Sequence, residues 1–234
     1  MRSLESKELK FEEKKHVYTV GQRKFDSVTT FISSLFKPFD AKGIARMLAK
    51  FPVNKAAKRG VRYWLKEWKL AASNGTEWHA MLEDYVQGKE VLEPNDRVKN
   101  GMKYLKDYNI YPNEDMLLYP EVRVYDEKYG LAGSCDLLSI SGDKCILSDW
   151  KFLKKFTTKS YKGETGTSLV SKDLEDSKVN RYGLQLMIYA YILRKNYGVL
   201  VDELHIVHLL DKRYVVYIVE YDEAFVERIL GDRI

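Results

Sequence analysis

The chain has 234 residues, of which 45% are hydrophobic and 13% aromatic, so it can bury a substantial core and is not an intrinsically disordered protein. No apolar run approaches the roughly 20 residues of a membrane-spanning helix, and we expect no membrane partner. The 39 Lys and Arg residues exceed the 34 Asp and Glu residues by only 5, so total charge alone does not indicate a nucleic-acid partner.

The N-terminal part of the chain predicts short strands followed by helices. Its first residues are too acidic and polar for a signal or transit peptide, so we expect an intracellular, cytoplasmic protein. Strands are predicted near residues 16–25, and helices are predicted to begin at Ser27, Asp40 and Asn54. Ser27 and Asp40 are typical of helix starts because their side-chain oxygens accept backbone N–H bonds.

The predicted helix that begins at Asn54 combines basic and aromatic side chains. Arg62, Trp64 and Trp68 are candidate nucleic-acid contacts, because cations neutralise phosphates and aromatic rings stack on bases. The same pattern fits a solvated basic face with its aromatic residues in the core. The other members of the pattern are Lys55, Lys58, Arg59, Tyr63, Lys66 and Lys69.

The next predicted helix carries His79 and Glu83, four residues apart and therefore on one face. On its own, a histidine in a helix is usually structural, and Glu83 fits a solvated surface acid. A helix over about residues 95–108 follows. An alternating strand that contains Glu121 comes next.

Gly142 and Asp143 form a predicted two-residue turn between two strands. Such a turn places Asp136 directly opposite Asp149, at a Cβ separation of roughly 4.5–5.5 Å, and strand alternation puts Lys151 on the same face. Apolar residues occur on both faces, which predicts burial on both sides, and burying two uncompensated carboxylates would be costly. A divalent cation is the simplest explanation. A salt bridge between Lys151 and one aspartate is the alternative.

The segment after Lys151 is rich in lysine and contains no acidic residue up to position 162. Positive charge beside the hairpin would attract phosphates. The candidate nucleic-acid contacts in this segment are Lys154, Lys155, Lys159 and Lys162. Residues 157–177, which are rich in Lys, Gly, Ser and Thr, are predicted as a mobile loop.

A long and largely apolar helix is predicted over about residues 179–196. It carries Gln185 and Tyr189 on one face. Tyr189 alone fits a core residue, whereas a glutamine among so many apolar neighbours needs a polar partner. Two alternating strands, over about residues 204–210 and 214–221, and a short helix end the chain.

Gly133-Ser134-Cys135-Asp136, followed by Asp149-Trp150-Lys151, resembles the active-site hairpin of the PD-(D/E)XK nuclease superfamily. The helix motif Gly75-Thr76-Glu77-Trp78-His79 with Glu83, and the later pair Gln185 and Tyr189, resemble the RecB-like exonucleases and their CRISPR-adaptation relatives. Residues 26–32 look like the opening of several phage-type and mitochondrial-type members. The resemblance covers about residues 75–220.

The resemblance implies a metal site on this hairpin. Asp136, Asp149 and the backbone carbonyl of Trp150 would bind Mg2+ or Mn2+. His79 would add a nitrogen ligand, which favours Mn2+ alongside Mg2+ because imidazole suits transition metals.

The resemblance also implies roles for the residues around the metal. Lys151 would orient the attacking water or stabilise transition-state charge. Gln185 and Tyr189 would line the active site. Glu83 would support the histidine, and Glu121 resembles a glutamate that is common in the family.

The predicted fold is a mixed α/β PD-(D/E)XK, restriction-endonuclease-like core over residues 75–234, with a central mixed sheet flanked by helices. Residues 1–74 are predicted as a β/helical portion that shapes access for the substrate. Because Cys135 and Cys145 are the only cysteines, the four-cysteine iron-sulfur cluster of the CRISPR-adaptation relatives is not expected.

The predicted function is that of a metal-dependent DNA nuclease, an exonuclease on single strands or duplex ends, with replication or recombination proteins as partners. A DNA endonuclease of the same superfamily is the alternative. A catalytically silent nucleic-acid-binding module and a structural ion-pair network are two further interpretations.

Overall fold

The computed structural model describes residues 2–4, 8–12, 17–50, 59–231 and 233. The described residues do not include His16, the helix start predicted at Asn54, or Lys55 and Lys58 of the basic and aromatic pattern. The helices are α1 (Val28–Ser34), α2 (Ala41–Lys50), α3 (Val61–Val86), α4 (Asp96–Asp107), α5 (Lys178–Ile192) and α6 (Glu223–Gly231). The strands are β1 (Lys10–Glu12), β2 (Val17–Val20), β3 (Arg23–Ser27), β4 (Met116–Asp126), β5 (Leu131–Ser141), β6 (Lys144–Lys151), β7 (Glu203–Leu209) and β8 (Tyr214–Val219).

The helix starts predicted at Ser27 and Asp40 are confirmed. The Ser27 side chain accepts a hydrogen bond from the backbone N–H of Thr30 at 3.0 Å, and Asp40 accepts one from Gly43 at 2.8 Å. Each bond satisfies an N–H of the first turn that has no partner within its own helix. These caps fix where the chain enters α1 and α2.

α3 is one continuous helix of 26 residues, where the sequence predicted two. Gly75 costs a helix only about 1 kcal/mol relative to alanine and therefore does not end it.

Although α3 is long, no helix among the described residues is apolar enough over a sufficient length to cross a membrane. The chain forms two compact units, Pro38–Ala80 in one and Met1–Lys37 with Met81–Ile234 in the other, and the boundary falls inside α3.

The eight strands form one mixed sheet in the order β1-β2-β3-β5-β6-β7-β8, and β4 also pairs with β5. β5 therefore has three neighbours on two edges. β4 runs antiparallel along one edge, so β3 and β6 share the other: β3 pairs with Leu131 and Ala132, and β6 pairs with the stretch from Leu137 to Ser141. Residues 133–136 lie between these two pairings, and we call them the β5 gap.

β5 and β6 form the predicted hairpin in the predicted register. Leu138 pairs with Leu147, and Ile140 pairs with Cys145. Gly142 in the turn has a positive φ of 56°, which the tight turns between antiparallel strands require. β7 then pairs in parallel with β6, and α5 lies in the connection between them.

The hairpin is buried on both sides, as predicted. Leu147 lies in the apolar core with Leu184 and Ile188 of α5, whereas the Ser148 hydroxyl lies 2.9 Å from the Tyr104 hydroxyl of α4. Successive strand residues point to opposite faces of a sheet. α5 and α4 therefore cover opposite faces of β6.

His205 of β7 joins a buried polar network on the α4 face. Its Nδ1 atom lies 2.7 Å from the Tyr104 hydroxyl, and its Nε2 atom lies 2.7 Å from a Glu203 carboxylate oxygen. Burial lowers the pKa of His205 below 6.5, although Glu203 acts in the opposite direction. Burial also lowers the pKa of His208 on the same strand. Both histidines therefore resist protonation in the folded protein.

We expect the protein to lose stability on acidification through these histidines. As the pH falls below about 6.5, the unfolded chain takes up protons that the folded state still excludes, so the free energy of unfolding decreases. The decrease ends below the lowered pKa values of the folded state. Urea unfolding at about pH 7.5 and about pH 5.5 measures the loss. Asparagine does not titrate, so the His205→Asn variant should lose less unfolding free energy than wild type between the two pH values. An equal loss in the two proteins would contradict the assignment to His205.

Candidate metal centre

Three acidic residues lie in one row across β4, β5 and β6. The pairs on either side of Glu121 keep the register that puts it level with Asp136. The hairpin register puts Asp149 level with Asp136 on the opposite edge of β5. The Glu121–Asp136 and Asp136–Asp149 pairs are both absent from the regular hydrogen-bonded ladders of the sheet, which are interrupted at this row. The direct Asp136 and Asp149 pair predicted from the turn is thus in register but is not a regular ladder pair.

Glu121 has an unusual backbone conformation for a strand residue. Its φ is 48°, in the left-handed region that costs a non-glycine residue roughly 1–2 kcal/mol. Pro120 and Val122 keep their partners in β5, so the distortion is confined to one residue. The Ser134 hydroxyl donates a hydrogen bond to Glu121 Oε2 at 2.7 Å. Such strain is concentrated at functional sites, and here it sets the direction of a carboxylate.

Asp136 uses one carboxylate oxygen to hold β6. Its Oδ2 atom accepts a hydrogen bond from the backbone N–H of Trp150 at 2.7 Å. This bond takes the place of regular pairing beyond the last ladder pair of the hairpin. Metal ligation by the Trp150 carbonyl, which the sequence resemblance implies, stays a prediction.

Glu121 and Asp136 form a group that could bind a metal ion. Each offers a carboxylate oxygen, and the two oxygens lie within 4.8 Å of each other. Two carboxylates suit a hard divalent cation. His79 belongs to the other compact unit, and its role as a ligand stays a prediction. Glu121, expected from the sequence as a supporting acid, belongs to this group. Asp149, expected as a ligand, lies outside it.

Asp149 is paired with Lys151. Its Oδ2 atom lies 2.5 Å from Lys151 Nζ, and the two side chains are 3% and 14% exposed. Its Oδ1 atom accepts a hydrogen bond from Gln185 Nε2 at 3.3 Å. The salt bridge that the sequence left as an alternative is therefore present, beside the candidate metal ligands rather than instead of them.

Lys151 is a half-buried cation in this site. Burial acts to lower its pKa, but the charges of Asp149 and Asp136 outweigh burial and raise the pKa above 10.5. Its Nζ atom also lies 4.3 Å from the centre of the Tyr182 ring, within the range of a cation–π contact. Sequence reasoning missed Tyr182. Its position three residues before Gln185, on the same helical face, was the available signal.

Gln185 and Tyr189 of α5 are both buried, and Gln185 links Tyr189 to Asp149. Gln185 Nε2 lies 3.5 Å from the Tyr189 hydroxyl as well as contacting Asp149. The Tyr189 ring occupies the space over Gly133, where an added Cβ would lie 2.5 Å from ring atoms. A glycine in the β5 gap is therefore what admits the tyrosine.

The segment after Lys151 is anchored to the fold. The Phe152 carbonyl accepts a hydrogen bond from Arg97 at 2.7 Å, and the Leu153 carbonyl lies 2.7 Å from His208 Nε2. The predicted contacts Lys154, Lys155, Lys159 and Lys162 are all exposed. The stretch predicted as a mobile loop packs on the end of α1, where Thr167 donates to the Leu35 carbonyl at 2.8 Å.

The other predicted residues have different surroundings. Glu83 accepts a hydrogen bond from Gln87 at 2.9 Å and is outside the ligand group. On α3, Arg62 is exposed, whereas Trp64 and Trp68 are half-buried. The Trp68 ring contacts Phe39 edge-on, and the Trp64 ring contacts Tyr63 in the same way. Their role in binding nucleic acid stays a prediction.

The chain matches no known protein family and no curated protein. It is similar to the crystal structure of SSO0001, with a TM-score of 0.43 and 14% identity, over 89% of this chain and 73% of that one. It is also similar to a crystal structure named "Putative exonuclease" from Eubacterium rectale, with a TM-score of 0.42 and 13% identity, over 89% of this chain and 76% of that one. Similarities of this size identify neither a family nor an activity.

Metal binding should stabilise the folded protein through Glu121 and Asp136. Free metal at about 100 times its Kd should add about 2.7 kcal/mol to the free energy of unfolding, and EDTA should remove it. Thermal unfolding with Mg2+ or Mn2+ measures this gain. Glu121→Gln and Asp136→Asn should each lose most of it, because a neutral amide replaces an anionic ligand. Glu164→Gln, an exposed acid elsewhere, is the control, and a full gain in Glu121→Gln would contradict the site.

Gly133→Ala should destabilise the protein by about 1–3 kcal/mol, because the new methyl group forces Tyr189 to move. Adding Tyr189→Leu in the same chain should restore part of the loss by removing the ring. Gly75→Ala is the matched control, since a Cβ there meets nothing within 4 Å, and it should be neutral or stabilising by up to about 1 kcal/mol. Chemical denaturation measures all three variants, and equal effects at the two glycines would exclude the Tyr189 contact as the cause.

Proposed function

We propose that this protein is a divalent-metal-dependent deoxyribonuclease of the PD-(D/E)XK type. The observation that carries the proposal is the row of Glu121, Asp136 and Asp149 with the Lys151 ammonium held 2.5 Å from Asp149. Phosphodiester hydrolysis develops negative charge in its transition state, and a half-buried ammonium beside carboxylates suited to a hard cation can stabilise that charge.

Glu121 and Asp136 would bind Mg2+ or Mn2+, and their carboxylate oxygens suit those ions. His79 is a further proposed ligand on the strength of the sequence resemblance, and its imidazole would favour Mn2+ alongside Mg2+. When bound, the ion neutralises phosphate oxygens and makes a coordinated water more acidic. Ser134 holds the Glu121 carboxylate through its hydroxyl at 2.7 Å. Asp149 and the Trp150 carbonyl are further proposed ligands.

Lys151 provides a second positive charge at the site. Because its pKa is raised, it stays protonated and donates N–H bonds to a phosphate oxygen or to the attacking water. Asp149 fixes the ammonium on one side, and the Tyr182 ring lies against it on another. Gln185 in turn fixes Asp149 through a 3.3 Å hydrogen bond. The charge is thus oriented before substrate arrives, which lowers the reorganisation needed during the reaction.

The proposed substrate is DNA, cut from the ends of single strands or duplexes. Exposed lysines follow the catalytic lysine in the chain and would attract the phosphate backbone. These lysines are Lys154, Lys155, Lys159 and Lys162. The preference for ends rests on the sequence resemblance to RecB-like exonucleases, and an endonuclease is the alternative.

Wild type and Lys151→Ala should differ sharply on end-labelled single-stranded, linear duplex and covalently closed circular DNA. Wild type should degrade linear DNA with Mg2+ or Mn2+ and leave it intact with EDTA. Lys151→Ala should be slower by about 100-fold or more, the usual loss when one transition-state donor is removed. Denaturing gels measure the rates. Lys172→Ala removes an exposed lysine from the same connection between β6 and α5 and should keep the wild-type rate.

The three substrates also separate the alternatives. Survival of circles while linear DNA disappears supports an exonuclease, and nicked or linearised circles identify an endonuclease. If no substrate is cut under any condition but DNA is bound, the protein is a binding module and the nuclease proposal fails. If DNA is neither cut nor bound, the acids and Lys151 form a structural ion-pair network.

A further inference from the structure

A groove of about 780 Å3 adjoins the carboxylate row. Its volume lies within the roughly 300–1,000 Å3 of typical ligand sites. Residues of β1 and β4 form most of its walls, and Glu121 of the candidate metal group is one of them. We call it the β4 groove, and the lining residues used below are Lys10, Phe11, Gln87, Tyr119, Glu121 and Arg123.

The β4 groove combines positive charge with an aromatic surface. Lys10 and Arg123 are exposed and supply two cations. The Phe11 ring is stacked on Tyr18, with ring centres 4.5 Å apart, so its position is fixed by a buried neighbour. Cations that track a phosphate backbone, together with aromatic rings on which bases stack, are what single-stranded nucleic acids bind.

We propose that the β4 groove binds unpaired nucleotides of the DNA strand beside the bond that is cut. This inference rests on the proposed function and deepens it by naming the form of the substrate at the site. A base within a duplex is stacked on both faces, whereas the Phe11 ring requires a base with a free face. The Gln87 and Tyr119 side chains add polar groups that can contact the edge of such a base.

Electrostatics determines where in the groove the phosphates of the strand are attracted. Glu121 repels phosphate when no cation is bound, while Lys10 and Arg123 attract it. The strand can therefore bind to Lys10 and Arg123 without metal, whereas a phosphate next to Glu121 requires a bound metal ion. Affinity measured without metal reports the groove alone, separately from the reaction.

Two sets of variants test the groove in the full chain. Lys10→Ala/Arg123→Ala removes its two cations, and Phe11→Leu removes the ring but keeps an apolar side chain. Lys172→Ala/Lys212→Ala is the matched control, because it removes two exposed cations elsewhere. Fluorescence anisotropy with a labelled single-stranded oligonucleotide and a labelled duplex, both in EDTA at one fixed salt concentration, gives the Kd values.

We expect each groove variant to bind the single strand about tenfold or more weakly than wild type, which is the scale of one lost stacking or phosphate contact. Duplex binding should fall no more in the groove pair than in the control pair. Equal single-strand affinities in the groove pair and the control pair, together with wild-type affinity in Phe11→Leu, would overturn the proposal. Equal losses on single strand and duplex would also overturn it, because the groove would then not select unpaired bases.

Cleavage by the same proteins separates this inference from the proposed function. One outcome is that wild type cuts DNA with metal while the groove variants bind and cut single strands as well as the control pair does. In that case the groove assignment fails and the nuclease proposal is retained. If wild type cuts nothing but the groove variants lose single-strand binding, the nuclease assignment fails and the groove is a binding site. Thermal unfolding should be the same for the groove pair and the control pair, since all four lysine and arginine positions are exposed.

Discussion

The site depends on the way β5 shares one of its edges between two strands. β3 pairs at the start of that edge and β6 pairs near its end, so residues 133–136 are left without a neighbouring strand there. Gly133 is consequently open to the ring of Tyr189 from α5, and Asp136 can bond the Trp150 amide instead of joining a regular ladder. In a continuously paired sheet, the tyrosine would have no access and the acids would face one another at a fixed spacing. The interruption gives Tyr189 and Asp136 positions that a continuously paired sheet would not allow.

Charge is the second constraint, because the acids of this row are close together and partly or fully buried. Each has a donor from the protein: Ser134 for Glu121, the Trp150 amide for Asp136, and Gln185 with Lys151 for Asp149. Hydrogen bonds favour the ionised form of a carboxylate. These side chains comprise one ammonium group and three carboxylates, and a divalent cation would balance the excess negative charge. These donors hold the acids in fixed orientations for such a partner.

Local patterns predicted the hairpin well, because Gly142 fixes the turn and a turn fixes the register of its two strands. They did not predict that Glu121 would be a candidate ligand rather than a supporting acid. Its left-handed backbone arises within the pairing between strands β4 and β5, and such pairing leaves no periodic signal in the sequence. Nor did they show that Asp149 would face Lys151 rather than the ligand group, since that choice depends on side-chain packing. The stretch after β6 looked mobile by composition, yet Thr167 bonds Leu35, 132 positions away.

At Glu121, selection for stability and selection for the carboxylate favour different residues. Glycine or asparagine would adopt its φ of 48° at lower cost, so a search for variants that resist heat or denaturant should favour those residues there. Either replacement would remove the acid from the row. Such variants would gain stability and lose a candidate metal ligand, so stable forms of this protein obtained by blind selection would include members whose fold is intact but whose carboxylate row is incomplete.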